Sequence, residues 1–364
     1  MTVLFRVDSS HIIGTGHVMR CLTLAQQLRE KGIECKFITR NHAGNCSDMI
    51  QRQGFETFLL PVSVSANESA ASPCPYYDWI GAPLEIDLDQ TVRIVKQVPK
   101  VSWLVVDHYG LDATWESGLR AHVERIFVID DLANRRHSCD LLLDQTFGRC
   151  AKDYETLVSV RTEMLCGADY ALLRPEFSSM RAHSIENRLR RPARDILITL
   201  GGTDPDNLTA RVLRALTSLA TSNLRFTIVL GPTSQHFESV EQLCHTLSFE
   251  TRLYRGASNM AELMANSDIA IGAAGTTAWE RCCLGIPSIL MVIAQNQQSI
   301  ASSLGSYGAA FVIQNLESLE NELLPMVQVL MTNEKKRRKM IERAILVTDG
   351  RGVSRVIEKM GMAA

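Results

Sequence analysis

A histidine sits where an apolar strand hands over to a helix. The segment SSHIIGTGHVMR (9–20) follows the strand pattern VLFRVD (3–8), and His17 falls in the first turn of the helix that begins there. Histidine is the side chain best suited to moving a proton near neutral pH. Gly14 and Gly16 permit turns and close backbone approach that a Cβ would resist. The helix start offers unpaired N–H groups to an anion and disfavours an imidazolium, which leaves the ring able to accept a proton. A structural histidine is the alternative. A dinucleotide fingerprint is disfavoured, because Met19 stands where the third glycine belongs and no suitable acidic residue follows the second strand. A P-loop would need GxxxxGK[ST], which this loop lacks.

A second stretch, DIAIGAAGTTAWERCCLGIPSI (268–289), runs from a strand through a glycine turn into a helix. Gly275, Thr276 and Thr277 there supply N–H groups and hydroxyls that suit a diphosphate without a metal. Glu280 lies one turn on and, if ionised, would repel a phosphate, so ribose hydroxyls are its expected partners. The alternative is a surface glutamate that favours the helix N-terminus. A third loop, TLGGTDPDN (199–207), has Gly201 and Gly202 for a tight turn, with Asp206 or Asn207 as a helix cap. A turn and a cap explain that loop without any ligand.

These loops need a scaffold, and the hydrophobic pattern supplies one. Strands are expected at 3–8, 33–39, 56–60, 101–107, 125–130 and 139–144, with helices at 17–31, 46–53, 86–98 and 112–122. A Ser/Pro-rich stretch at 61–83, containing PCPYY, reads as a loop or insertion. The basic segment 181–195 reads as a solvated linker or crossing helix face, with a phosphate patch as the alternative. Alternation then restarts, with strands at 195–200, 225–230, 250–254, 268–272, 287–292 and 309–313, and ends in three helical segments. Such alternation means mostly parallel sheets with helices on both faces. The expected architecture is α/β, two Rossmann-like doubly wound domains facing across a cleft. They would span 1–180 and 195–345, and a helix at 346–364 would cross back to the first. Ligands of open parallel sheets bind at the carboxyl ends of the strands.

Composition narrows the function class. The 364 residues suit about two domains at one per ~150 residues. They are 46% hydrophobic and 21% charged, which argues for packed cores rather than disorder. The net charge of −2 advertises neither nucleic acid nor a membrane surface. Arg6 and Asp8 break the apolar run a signal peptide needs, and no apolar run approaches the ~20 residues of a membrane span. The ten cysteines form no CxxC and no zinc-spaced cluster, and Cys282 and Cys283 are adjacent. Reduced thiols in a cytoplasmic protein are expected.

Taken together, HIIGTGHVMRCLTLAQQLR, TLGGTDPDN, DYALLRPEF (169–177) and GAAGTTAWERCCLGIPSI resemble the UDP-sugar hydrolases of pseudaminic acid biosynthesis, the PseG family. The resemblance implies a GT-B fold related to MurG-type glycosyltransferases. It implies metal-independent hydrolysis of UDP-2,4-diacetamido-2,4,6-trideoxy-β-L-altropyranose to UDP and free sugar, with no cofactor, nucleic acid or membrane partner. By motif, His17 matches the general base, Gly275, Thr276 and Thr277 the diphosphate turn, and Glu280 the ribose-binding glutamate. Met260 falls where a uracil-contacting loop is expected, and Arg174 and Asn296 where the sugar is touched or the cleft held. The 61–83 insertion departs from the family pattern and bears on which sugar is accepted. A glycosyltransferase using the same donor, or a non-catalytic nucleotide-sugar binder, are the competing readings.

Overall fold

The computed structural model describes residues 1–63, 75–202, 204–219, 224–232 and 234–362. It divides into two compact units, Met1–Leu172 with Gly352–Ala364, and Leu173–Arg351.

In the first unit, β1 (Thr2–Val7) is buried along its whole length, as a central parallel strand covered on both faces must be. It joins β2 (Glu34–Arg40), β3 (Glu56–Leu60), β4 (Val101–Asp107), β5 (Ile126–Ile129), β6 (Leu141–Asp144) and β7 (Glu163–Cys166) in one parallel sheet, order β3-β2-β1-β4-β5-β6-β7. Alternate residues feed two cores. Val3, Phe5 and Val7 pack with Val18, Leu24 and Leu28 of α1 (Gly16–Glu30). Leu4, Leu104 and Val106 pack with Ile94 of α3 (Leu84–Val95) and with Trp115 and Leu119 of α4 (Ala113–Leu119). The short α2 (Ser47–Arg52) links β2 to β3.

The second unit repeats the plan. Its sheet runs β10 (Glu250–Arg255), β9 (Arg225–Leu230), β8 (Asp195–Thr199), β11 (Ile269–Ala273), β12 (Ser288–Met291) and β13 (Ala310–Ile313), all parallel. Helices α5 (Pro175–Arg190), α6 (Leu208–Ala215), α7 (Phe237–Thr246), α8 (Met260–Ala265), α9 (Thr277–Cys283), α10 (Gln298–Tyr307), α11 (Leu319–Thr332) and α12 (Glu334–Ala344) complete it. In each sheet the strand order reverses at one place, between β1 and β4 and between β8 and β11. There the connections leave in opposite directions and open a crevice at the carboxyl ends of the strands.

The domain boundary, the basic segment and one strand depart from the sequence reading. The expected domain boundary near 180 falls inside α5, which belongs whole to the second unit. Its Arg181 donates to the carbonyls of Cys283, Ile345 and Thr348, and its buried Arg188 to those of Met264, Ser267, Leu284 and Gly285. The basic segment is therefore neither linker nor phosphate patch over residues 181–190. It is a helix whose arginines cap neighbouring helix ends. The edge strand β7 went unread because it is short and half-exposed. The helix α13 (Gly352–Lys359) lies in the first unit, where Val353, Val356 and Ile357 join the core of Val3 and Phe5, and the Trp103 indole donates to Met360 at 3.2 Å. Most of the 61–83 insertion, residues 64–74, lies outside the described residues. All nine described cysteines are free thiols. Among the described residues no helix is long and apolar enough to cross a membrane.

Candidate functional site

In the first unit His17 comes with a partner that sequence reading missed. Its Nδ1 lies 2.6 Å from Oδ1 of Asp107, the last residue of β4. Two acceptors do not sit that close, so Nδ1 carries a proton, and in the neutral ring Nε2 is the acceptor. Burial alone would raise the Asp107 carboxyl, but Arg20 and His17 pull it far below the usual carboxylate range. Arg20, one turn after His17 on α1, donates to both Asp107 oxygens at 2.7 Å and to Asp131 at 2.6 Å. The fork of Arg20 thus fixes the carboxylate that fixes the imidazole. The spacing His17–Arg20 puts both side chains on one helix face, a signal present in GHVMR but unreadable without knowing that β4 lies beside β1.

Aromatic rings surround that imidazole. Tyr109 meets it edge-on at 4.6 Å and Trp79 at 6.3 Å, while Trp79 stacks on Tyr109 at 5.7 Å and Tyr76 packs against both. Tyr76 and Trp79 come from the described end of the 61–83 insertion, which therefore contributes to the surroundings of His17. Gly14 sits at φ +78°, and its N–H donates to the Ser10 carbonyl, closing the turn ahead of α1. Gly16 is the first residue of α1, and Thr15 at its N-cap makes no side-chain cap.

The second unit gathers a different set. The turn after β11 carries Gly275, Thr276 and Thr277. Among the described residues nothing accepts from the backbone N–H of any of the three, whereas the carbonyls of Gly275 and Thr276 start α9 normally. Glu280 is partly exposed one turn on. Burial pushes its carboxyl up to about 7, against the pull of Arg174 and Arg281. Arg174 precedes α5, pairs with Glu176 at 2.9 Å and acts on Glu280 electrostatically. Asn296 lies in the 3-10 turn Gln295–Gln297. Its neighbour Gln297 is the one beside the glycine turn: a Cβ on Gly275 would stand 3.9 Å from its Nε2. Met260 opens α8 past the end of β10, an edge strand separated from β11 by β9 and β8.

The loop after β8 has its helix end occupied. Asp204, not Asp206, accepts from Leu208 N at 2.8 Å and from Thr209 N at 3.0 Å, and Asn207 accepts from Ala210 N at 3.4 Å. The turn-and-cap reading therefore holds for α6. Among the described residues no group of three His, Cys, Asp or Glu side chains is arranged to hold a metal ion.

These two switch-point constellations can be set beside known proteins. Residues 196–356 match the glycosyltransferase family 28 C-terminal domain. The chain is similar to the crystal structure of MurG from Acinetobacter baumannii, with a TM-score of 0.71, 16% identity, and coverage of 100% of this chain and 99% of that one. The fold is GT-B. By sequence the chain is 29% identical over 314 residues to the UDP-2,4-diacetamido-2,4,6-trideoxy-beta-L-altropyranose hydrolase of Campylobacter jejuni, spanning 85% of this chain and 97% of that protein. It is also 26% identical over 302 residues to an uncharacterized protein of Methanocaldococcus jannaschii, and the match spans 82% of this chain but 56% of that longer protein. The resemblance read from the motifs is borne out by the Campylobacter similarity.

Proposed function

We propose that the protein is a cytoplasmic UDP-sugar hydrolase that cleaves the anomeric C–O bond of UDP-2,4-diacetamido-2,4,6-trideoxy-β-L-altropyranose, releasing UDP and free sugar with inversion. The observation that carries this reading is the 2.6 Å contact from His17 Nδ1 to Asp107, which leaves Nε2 as a base aimed by a buried carboxylate. Nε2 takes a proton from water as the water attacks C1. The Gly275-Thr276-Thr277 turn, whose N–H groups have no acceptor among the described residues, takes the diphosphate charge as the bond breaks, so a strong acid on the leaving group is not required. Glu280 accepts from the ribose hydroxyls, Met260 approaches the uracil, and Arg174 and Asn296 are assigned to the sugar. No metal or cofactor enters the proposal. The similarity to the Campylobacter hydrolase supports the sugar, and Tyr76, Trp79 and Tyr109 supply apolar faces near the base for its deoxygenated carbons.

The test is UDP release from a panel of UDP-sugars with no acceptor added, with the first-formed anomer followed by NMR. Rapid turnover of UDP-N-acetylglucosamine would sink the substrate assignment. A glycosyltransferase reading is favoured by the family 28 domain match over residues 196–356. It requires that UDP appear only when an acceptor sugar or lipid is supplied.

A further inference from the structure

Behind the glycine turn of the second unit lies a guanidinium that makes no ion pair among the described residues and feels the carboxyl of its neighbour Glu280 only electrostatically. Arg281, on α9, is 0% exposed. Among the described residues it forms no ion pair; its Nη2 donates to the Ala273 carbonyl at 2.5 Å and its Nη1 to the Thr277 hydroxyl at 3.2 Å, while its Nε has no acceptor. An unpaired buried ion is strongly unfavourable even after relaxation. The cost is visible in the group itself, since burial pushes the arginine down to about 10. The fold makes room for it. Gly272, in the middle of the buried sheet, lacks the Cβ that would stand 2.5 Å from Arg281 Nη1 and 2.7 Å from the Thr199 carbonyl. A sheet interior gains nothing from a glycine otherwise.

We propose that Arg281 is a positioning residue for the diphosphate of the nucleotide, its buried charge completed only when that anion sits on the 274–277 turn. The proposal rests on the UDP-sugar reading above. Arg281 touches no ligand itself. It acts in two ways. Its positive charge lies directly behind the turn, where low polarisability lets it act with little screening. Its hydrogen bond also occupies an acceptor lone pair of the Thr277 oxygen, which turns the Thr277 O–H away from the guanidinium and leaves it as a donor for a phosphate oxygen. The charge so placed is felt by the diphosphate and not by the nucleoside.

The experiment compares UDP and uridine binding by calorimetry in the wild-type chain, Arg281→Met and Arg281→Lys, with thermal midpoints alongside. In Arg281→Met the apolar replacement of an unpaired buried ion should leave the midpoint equal or higher. UDP affinity should then fall on the order of tenfold or more while uridine affinity stays within about twofold. Arg281→Lys should give an intermediate UDP-to-uridine ratio. An unchanged ratio in Arg281→Met, or equal losses for both ligands, overturns the inference while leaving the UDP-sugar reading intact. Should Arg281→Met fail to fold, the ratio in Arg281→Lys decides by the same criterion. A wild-type chain that binds UDP no better than uridine removes the diphosphate reading, and this inference with it.

Discussion

The two switch points treat charge in opposite ways. At the end of β4, every buried charge near His17 is answered within the protein: Asp107 by Arg20 and His17, Arg20 by Asp107 and Asp131, Asp131 by Tyr109 as well. On the other face of the same sheet, Arg6, Asp8, Arg40 and Asp87 form a second paired set. At the end of β11, among the described residues, Arg281 makes no ion pair and three backbone N–H groups have no acceptor. A site that moves a proton needs its base held in one tautomer before substrate arrives, so its network is complete beforehand. A site that holds an anion does better leaving its positive groups unpaired, because any resident carboxylate would compete.

The comparison breaks first at the dyad. His17→Ala should lower UDP release about 10²–10⁴-fold with UDP affinity unchanged, and near-normal turnover would remove His17 as the base. Asp107→Asn should lose activity and also stability, because Arg20 is left buried without its main partner, a penalty of about 3–5 kcal/mol readable in denaturant melts. If Asp107→Asn melts like wild type, the network around β4 is not the closed one described. Next comes Glu280→Gln, which should weaken UDP and uridine alike by roughly ten- to a hundredfold, since a hydrogen bond to a charged group is worth about 1.5–3 kcal/mol. Equal loss of both ligands there, against selective loss of UDP in Arg281→Met, would separate the ribose contact from the diphosphate contact.

A proton count sharpens the same point. Burial raises the Glu280 carboxyl to about 7, and ribose hydroxyls donate more strongly to its ionised form than to its protonated one. Binding therefore lowers its pKa, releases protons, and makes UDP affinity rise as pH passes upward through about 7. Titrations at pH 7 in buffers of different ionisation enthalpy should show that release, and Glu280→Gln should abolish it. The smallest effect belongs to the loop after β8. Asp204→Ala should cost about 1–2 kcal/mol of stability through the lost cap and leave UDP affinity untouched. A marked loss of UDP binding would make that loop part of the site after all.

The strand and helix order was legible almost throughout, because alternating apolar runs and amphipathic helices report their own period. What escaped were the short edge strand β7 and α5, whose inward positions include Ser184 and Arg188 rather than an apolar stripe. The candidate residues His17 and Glu280 stood out because each follows a strand and a glycine turn. Their partners did not. Asp107 is 90 residues from His17, and nothing local distinguishes it from other aspartates ending strands, such as Asp144.

The chain's own letters settled an α/β architecture, the turns that end its strands, and the side chains able to carry a proton or face a phosphate. These follow from local sterics, period and residue chemistry. Tertiary structure alone decided which carboxylate aims His17, that burial raises the Glu280 carboxyl, and that Arg281 lies buried without an ion pair among the described residues. Those properties depend on which strands lie side by side and how much water they exclude, and both are set by contacts across scores of residues.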